Sequence, residues 1–537
     1  MNSIRYPMVV SENDRIWLKY CGFLDLSIEQ FMAIQERLLL QQLEQVAGSP
    51  LGEKLIGRKM PGSVDEFRRS VLLTKYEDYL PEFERGNGNF LPEKPYIWAH
   101  TSGASGTFRK VPYTLEGYNT NLDNLMAAFI LACSKERGRS LLTEGDRVLF
   151  NVAPPPYFSG VLASGASEKF NLRPVMSPDM HDSMDFKEKV AKGFEVSLQT
   201  GVDILIAMTS VMVKMGNDFN RLSRKKNRKT NYFANPAVLY RIARAFLRSR
   251  LEKRRMLPKD LWPVKALIGW GIDTRIYRDL VYKYWGEYPY ELHACTEAGI
   301  IALQSWNRQD LTFIPYSNFL EFIPETEWLR GKRDYLYEPH TVLLPEVKPG
   351  ERYELVITSF HRMPFIRYRL GHPVRITALE DKEAQIYLPQ MVFEARADDL
   401  IDIAGFTRIS ETTVAQAIAN IGVDHEEWTI RKEIYQNKPK LHLYIELNGG
   451  NLPEDLASVL HTELRRLDPG YHDLDTMMEI RPLEVTVLRP GTFSEYYLVE
   501  KEKGAELHLR KPPRLNAPDE VIRNLIYLSS KRRVAVY

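Results

Sequence analysis

Between Glu29 and Val46, apolar side chains recur at Phe31, Ile34, Leu38 and Leu43, the spacing of a helix with one buried face, and Gly48-Ser49-Pro50 supplies its stop. The first ninety residues are accordingly expected to be mainly helical. The pattern then changes. Short β-rich runs from Arg147 to Val152, Val202 to Ala207, Val264 to Trp270 and Tyr290 to Ala294 alternate with longer segments of helical period. That alternation predicts parallel sheet wrapped by helices. Beyond Ala395 a smaller version begins. Leu441, Leu443, Ile445 and Leu447 alternate with polar partners, a helix-like stretch runs from Pro453 to Leu467, and Leu483 to Leu488 reads as a strand. The expected fold class is α/β, with a large N-terminal domain over residues 1–396, of mixed and parallel sheet wrapped by helices, and a compact α+β domain over residues 397–537. A chain of 537 residues has length enough for two cores.

Composition narrows the function class without naming it. Hydrophobic residues at 44% and charged residues at 26% suit a soluble globular chain, and a formal charge of +2 gives no electrostatic case for nucleic acid as partner. Cys21, Cys133 and Cys295 show neither a pairing pattern nor metal-ligand spacing, which fits a reducing compartment. Met1-Asn2-Ser3-Ile4-Arg5-Tyr6 lacks the apolar core of a signal peptide, and the most apolar helix-like run, Leu122 to Cys133, is too short to span a bilayer. A cytoplasmic protein without a transmembrane segment is expected. One charge run stands out, from Arg221 to Lys229 and on through Arg241, Arg244, Arg248, Arg250, Lys253, Arg254 and Arg255. Ile242, Phe246 and Leu251 give its second part an apolar side, so residues 221–255 read as a basic amphipathic segment. It is either a solvated helix face, or a contact with an anionic membrane surface or a phosphate-rich substrate.

Candidate chemistry begins at Thr101-Ser102-Gly103-Ala104-Ser105-Gly106-Thr107-Phe108-Arg109-Lys110, directly after the apolar run Tyr96 to Ala99. Glycine lets backbone N–H groups turn toward an anion, hydroxyls add donors, and Arg109 or Lys110 can neutralise charge. The loop has neither Walker nor dinucleotide-fold spacing. Downstream follow Ala294-Cys295-Thr296-Glu297, Arg367-Tyr368-Arg369-Leu370-Gly371-His372, Ala395-Arg396-Ala397-Asp398-Asp399 and Lys511-Pro512-Pro513-Arg514.

In order and spacing these segments resemble the adenylate-forming superfamily over residues 60–525. Arg396 to Gly405 is similar to the phenylacetate-CoA ligase group. More of the chain resembles the Gretchen Hagen family of auxin-responsive acyl acid amido synthetases: Leu261-Trp262-Pro263, Phe319 to Pro324, Tyr353 to Thr358, Pro490 to Phe493, and the tail Gly504 to Arg514. The resemblance implies an ATP- and Mg²⁺-dependent ligase. It would activate a small carboxylic acid as its acyl-adenylate and pass the acyl group to an amino acid or amine, with coenzyme A as the rival acceptor and a non-catalytic descendant as a further alternative.

It also implies roles. Thr101, Ser102, Gly103, Ser105 and Lys110 would cradle the departing phosphates. Thr296 would hydrogen-bond the α-phosphate and Glu297 would hold Mg²⁺. Lys511, on a mobile C-terminal domain, would neutralise charge developing between carboxylate and α-phosphate. Arg396 would contact the nucleotide and Asp398 would be the hinge. Tyr157, Phe158 and Trp270 are expected to line the acyl pocket or belong to the core. One departure stands out: the family's ribose-binding Asp is here His372, and a neutral imidazole offers one acceptor where a carboxylate offers two.

Overall fold

The computed structural model describes residues 12–85, 88–101, 109–177, 186–222, 235–271, 274–334, 336–394, 400–403, 407–435, 438–447, 455–478, 482–502 and 512–530. The first segments are helical, as their period predicts. Ser27 caps the helix Ile28–Val46: its hydroxyl accepts the Gln30 N–H while the Gln30 side chain accepts the Ser27 N–H. The stop after Val46 is also a start. Ser49 caps a second helix, Pro50–Leu55, whose opening proline needs no N–H partner.

The chain divides into two compact units, one ending at Glu394 and one beginning at Ala395. Two short ribbons belong to the first, β1 (Ile97–His100) with β2 (Lys110–Tyr113) and β3 (Ser134–Glu136) with β4 (Arg139–Ser140). Its main feature is a sheet of eleven strands among the described residues. One half is parallel: β5 (Arg147–Asn151), β6 (Arg173–Pro174), β7 (Ile204–Met208), β8 (Ala266–Trp270) and β9 (Tyr290–Cys295), in the order β6-β5-β7-β8-β9. These are the β-rich runs of the alternating pattern, and the helices Phe158–Lys169, Phe186–Thr200, Thr209–Leu222 and Thr274–Trp285 lie between them in sequence.

The other half is antiparallel. β10 (Gly299–Gln304), β11 (Leu311–Phe313), β12 (Asn318–Pro324), β13 (Arg352–Ser359), β14 (Tyr368–Ala378) and β15 (Gln390–Phe393) continue from β9 in the order β10-β11-β15-β14-β13-β12. Period alone did not reveal it, because charged residues such as Glu321 in β12 and Glu354 in β13 sit buried within these strands and break the apolar runs that marked the parallel half. The helix Leu115–Ala132 lies against β8 and β10. Its Leu122, Leu125, Phe129, Ile130 and Leu131 are buried, each stabilising by about 1.5–3 kcal/mol. Phe158 joins this core, and Trp270 packs against it half-buried.

The second unit has its own core. β16 (Leu400–Ile403) pairs with β17 (Thr407–Ser410), and β18 (His425–Tyr435) and β19 (Lys438–Leu447) form a long hairpin. β20 (Leu483–Leu488) runs parallel to β19 and spans the predicted strand. Trp428, Ile430, Leu441, Leu443 and Ile445 face the helices Glu411–Asn420 and Leu456–Leu467; Tyr444 and Leu488 pack with the helices Thr492–Glu502 and Asp519–Ser530. No helix among the described residues is long and apolar enough to cross a membrane.

Candidate active site

Thr101 and Lys110 are the ends of a hairpin loop. His100 pairs with Lys110 across β1 and β2, the Thr101 N–H donates to the Arg109 carbonyl at 3.0 Å, and the Arg109 N–H donates back to Thr101 Oγ1 at 3.2 Å. Tyr76 braces the same edge. Its hydroxyl accepts the Lys110 N–H at 2.9 Å and donates to the Lys110 carbonyl at 3.0 Å, while the Arg109 guanidinium lies 4.7 Å over its ring. Burial raises the Tyr76 phenol above its ordinary range. Of the loop residues assigned to phosphate, Ser102, Gly103 and Ser105 lie outside the described residues.

Thr296 and Glu297 sit in the turn from β9 to β10, and the sequence of the turn explains its shape. Gly299 has φ +70°, and a Cβ there would lie 2.0 Å from Oδ1 of Asn121. That same oxygen accepts the Ile300 N–H at 2.8 Å, while the Asn121 amide donates to the Gly117 carbonyl at 2.9 Å. The helix Leu115–Ala132 thus holds the turn in place. Tyr113 fixes its other side, donating to the Thr296 carbonyl at 2.6 Å and stacking on Phe158 with ring centroids 5.1 Å apart. Burial, with Cys295 and Glu297 adding to it, pushes the Tyr113 phenol well up, so it stays a donor.

The two segments meet. Thr296 Oγ1 is 3.5 Å from the His100 carbonyl, and Arg109 places its guanidinium 3.9 Å from Glu297 and 3.9 Å from Glu77. Glu297 is 14% exposed, reachable from solvent yet enclosed enough for charge to count. Burial and neighbouring Lys110 lower the His100 pKa, favouring a neutral ring. Glu297 also borders a small cleft enclosing about 10 Å³, room for about one water, lined further by Tyr113, Thr120, Asn121, Ser317, Asn318, Ser359, Phe360, His361 and Met363. One wall is the turn at His361 and Arg362, whose φ values are +61° and +59°. The His361 ring holds this turn, with Nε2 2.9 Å from the Tyr316 carbonyl and Nδ1 3.1 Å from Glu116.

His372 lies on β14 in a different setting, its ring 5.4 Å from His293 and 5.4 Å from Phe393. The arginines of its segment are tied into the fold. Arg367 is buried against Glu321 at 2.9 Å, and Arg369 pairs with Glu354 at 2.6 Å. Arg396, Asp398 and Lys511 lie outside the described residues. The chain just past Lys511 is anchored within the second unit: the Pro513 carbonyl accepts from Thr429 Oγ1 at 2.6 Å and the Arg514 carbonyl from the Ile430 N–H at 2.8 Å. Sequence reasoning missed Tyr76, Tyr113 and Asn121. They belong to no motif and act on the site by touching backbone, so residue type alone carried no signal.

Comparison with known proteins adds three family matches. Residues 21–159 match the GH3 family N-terminal domain, 311–396 its central domain and 411–520 its C-terminal domain, together more than half of the chain. Among curated relatives, jasmonoyl-L-amino acid synthetase JAR4 of Nicotiana attenuata is 29% identical over 212 residues, covering 38% of this chain and 35% of that protein. The probable indole-3-acetic acid-amido synthetase GH3.1 of Arabidopsis thaliana is 28% identical over 223 residues, covering 38% and 34%. The chain spans about a third of the length of these relatives. Among solved structures, the AtGH3.15 acyl acid amido synthetase in complex with 2,4-DB aligns over 97% of both chains, with TM-score 0.54 and 17% identity. A 2-hydroxyisobutyryl-CoA ligase aligns over 94% of this chain and 92% of its own, with TM-score 0.55 and 15% identity. At such identities the likeness is one of fold, and it is the fold of adenylate-forming enzymes with an N-terminal and a C-terminal domain.

Proposed function

The chain belongs to the GH3 family, and from that premise we propose that it is an ATP- and Mg²⁺-dependent ligase joining a small carboxylic acid to an amino acid through an acyl-adenylate. One observation carries the reading: the Thr296-Glu297 turn stands beside Arg109 and the paired ends of the hydroxyl-rich loop, so an anion-binding hairpin and an acidic turn share one place.

The reaction asks for positioning and charge stabilisation rather than a covalent enzyme intermediate. A carboxylate oxygen of the acid attacks the α-phosphorus of ATP and pyrophosphate leaves. The amine nitrogen then attacks the acyl carbon, AMP leaves, and the amine gives up a proton. Arg109 and Lys110 offset the charge of the departing pyrophosphate, and Thr101, Ser102, Gly103 and Ser105 donate to its oxygens. Thr296 donates to the α-phosphate. Arg396 and His372 meet the nucleotide, Lys511 neutralises charge at the reacting phosphorus, and Asp398 is the pivot position.

The donor set suits Mg²⁺. Among the described residues no three His, Cys, Asp or Glu side chains cluster as a self-sufficient cage, and Mg²⁺ is ordinarily held by one or two carboxylates together with substrate phosphates and water. Glu297 offers that carboxylate. When bound, Mg²⁺ offsets the negative charge of the phosphates.

The test is pyrophosphate release from MgATP with a panel of acids, adding mixed amino acids or coenzyme A as acceptor. Amide product with at least one acid of the panel is expected; thioester without amide assigns the acceptor to coenzyme A, and no pyrophosphate with any acid overturns the ligase reading.

A further inference from the structure

The second part of the basic segment forms a helix, Pro236–Leu251, capped by Asn235, and Phe246 and Leu251 of its apolar side are exposed. The side chains that face inward are small: Val238, Ala245 and Ser249. The large ones face out. Tyr240, Leu247 and Leu251 are 69%, 62% and 83% exposed, with Leu239 and Phe246 beside them. At about 100° per residue, Leu247 lies roughly opposite the buried Val238 and Ala245. A ridge of this kind is the reverse of a core-covering helix and marks a binding surface.

Charge frames the ridge. Arg241, Arg248 and Arg254 are engaged within the fold, with the Leu198 and Gln199 carbonyls, Glu252 and Asp260. Arg250, Lys253 and Arg255 are exposed and pair with no carboxylate among the described residues; Arg250 lies 5.0 Å over the outer ring of Phe246. The helix closes with Lys253 at φ +48°, its N–H donating to the Arg250 carbonyl and the Arg254 N–H to that of Ser249. This cap gathers the free cations at one end of the apolar ridge.

We propose that the helix Pro236–Leu251 is a surface anchor for an anionic lipid bilayer. It lies in the interface, with Tyr240, Leu247 and Leu251 entering the acyl boundary and Arg250, Lys253 and Arg255 meeting lipid head groups. A nucleic acid would call for cations, not leucines, at the outermost positions. The inference does not depend on the ligase reading.

The full chain is mixed with vesicles of phosphatidylcholine alone and of phosphatidylcholine with an equal part of phosphatidylserine, and sedimented at low and high salt. Binding to the anionic vesicles, weakened by salt, is expected. Leu247→Asp with Leu251→Asp abolishes it, and each of Arg250→Gln, Lys253→Gln and Arg255→Gln weakens it about fivefold, all with unchanged pyrophosphate release and melting temperature. The proposal is overturned by failure to bind anionic vesicles, by binding indifferent to the leucine substitutions, or by a concentration-dependent dimer that those substitutions dissolve.

Discussion

Glu297 is the residue on which the site turns, and its surroundings define what removing its charge does. Arg109 approaches it at 3.9 Å while Tyr113 holds the preceding carbonyl, so Glu297→Gln leaves the turn intact and removes only the anion. Pyrophosphate release is expected to fall at least about a hundredfold, with Mg²⁺ dependence shifted to higher concentration and an unchanged melting temperature. His372 tests the nucleotide side. His372→Asp is expected to tighten MgATP binding about tenfold, since a carboxylate accepts from both ribose hydroxyls where imidazole accepts from one. Unchanged affinity in calorimetry assigns the ribose to another group. A third residue sets a pH dependence. Burial raises Glu291, on β9, to about 7, opposed by Arg275 and reinforced by Asp310. Its carboxyl is protonated in folded and unfolded states alike below about pH 4.5, and there it costs nothing. Between about pH 4.5 and 7 the unfolded chain ionises this carboxyl while the folded state keeps it protonated, so stability falls across that window by an amount of order 2 kcal/mol, given the partial exposure of the side chain, and levels off above it. Glu291→Gln is expected to flatten the melting temperature across that window. At this scale the sequence pointed to Thr296, Glu297 and Lys110 through local motifs, and the fold brings those segments together. The sequence was silent where a side chain acts through space, as with Tyr76 on Lys110, 34 positions away.

Elements were legible in proportion to their exposure pattern. The parallel strands announced themselves as apolar runs between helical segments, and β20 fell where alternation placed it. The antiparallel half, β10 to β15, hid because strands within it carry charge in the core. Glu321 on β12 is fully buried, and Arg367, 5% exposed, holds it while also donating to the Arg68 and Val71 carbonyls. A glutamate in a fully buried strand breaks the apolar pattern that would identify the strand; only the fold brings its partner, 46 residues away, into reach. Arg367→Met leaves that carboxylate with Thr341 Oγ1 at 2.6 Å and Arg68 at 3.7 Å and is expected to cost about 3 kcal/mol in denaturant unfolding, whereas replacing both Arg367 and Glu321 with apolar residues recovers most of the loss. The basic helix gives the converse lesson. Its period was read correctly, yet the stripe that turns inward is that of Val238, Ala245 and Ser249, whose short side chains allow close approach, and not that of the larger Tyr240, Leu247 and Leu251.

For the whole molecule, two cores imply two cooperative units. The buried cluster around Phe129, Ile206 and Phe322 belongs to the first unit, and that around Trp428, Leu443 and Leu460 to the second. Each closes its own strand pairing, and among the described residues the long β18–β19 hairpin shares its two hydrophobic clusters with β20 and five helices of its own unit. Units with separate cores unfold as separate transitions when their mutual stabilisation is small compared with their own stability. Calorimetry of the full chain is therefore expected to resolve two unfolding steps, and residues 395–537 expressed alone should reproduce one of them. MgATP then separates the assignments. Lys110, Thr296, Glu297 and His372, the described residues proposed to meet nucleotide or metal, are all in the first unit, so ligand at a hundred times its dissociation constant should add about 2.7 kcal/mol chiefly to the step missing from the fragment. Equal stabilisation of both steps would count against that assignment.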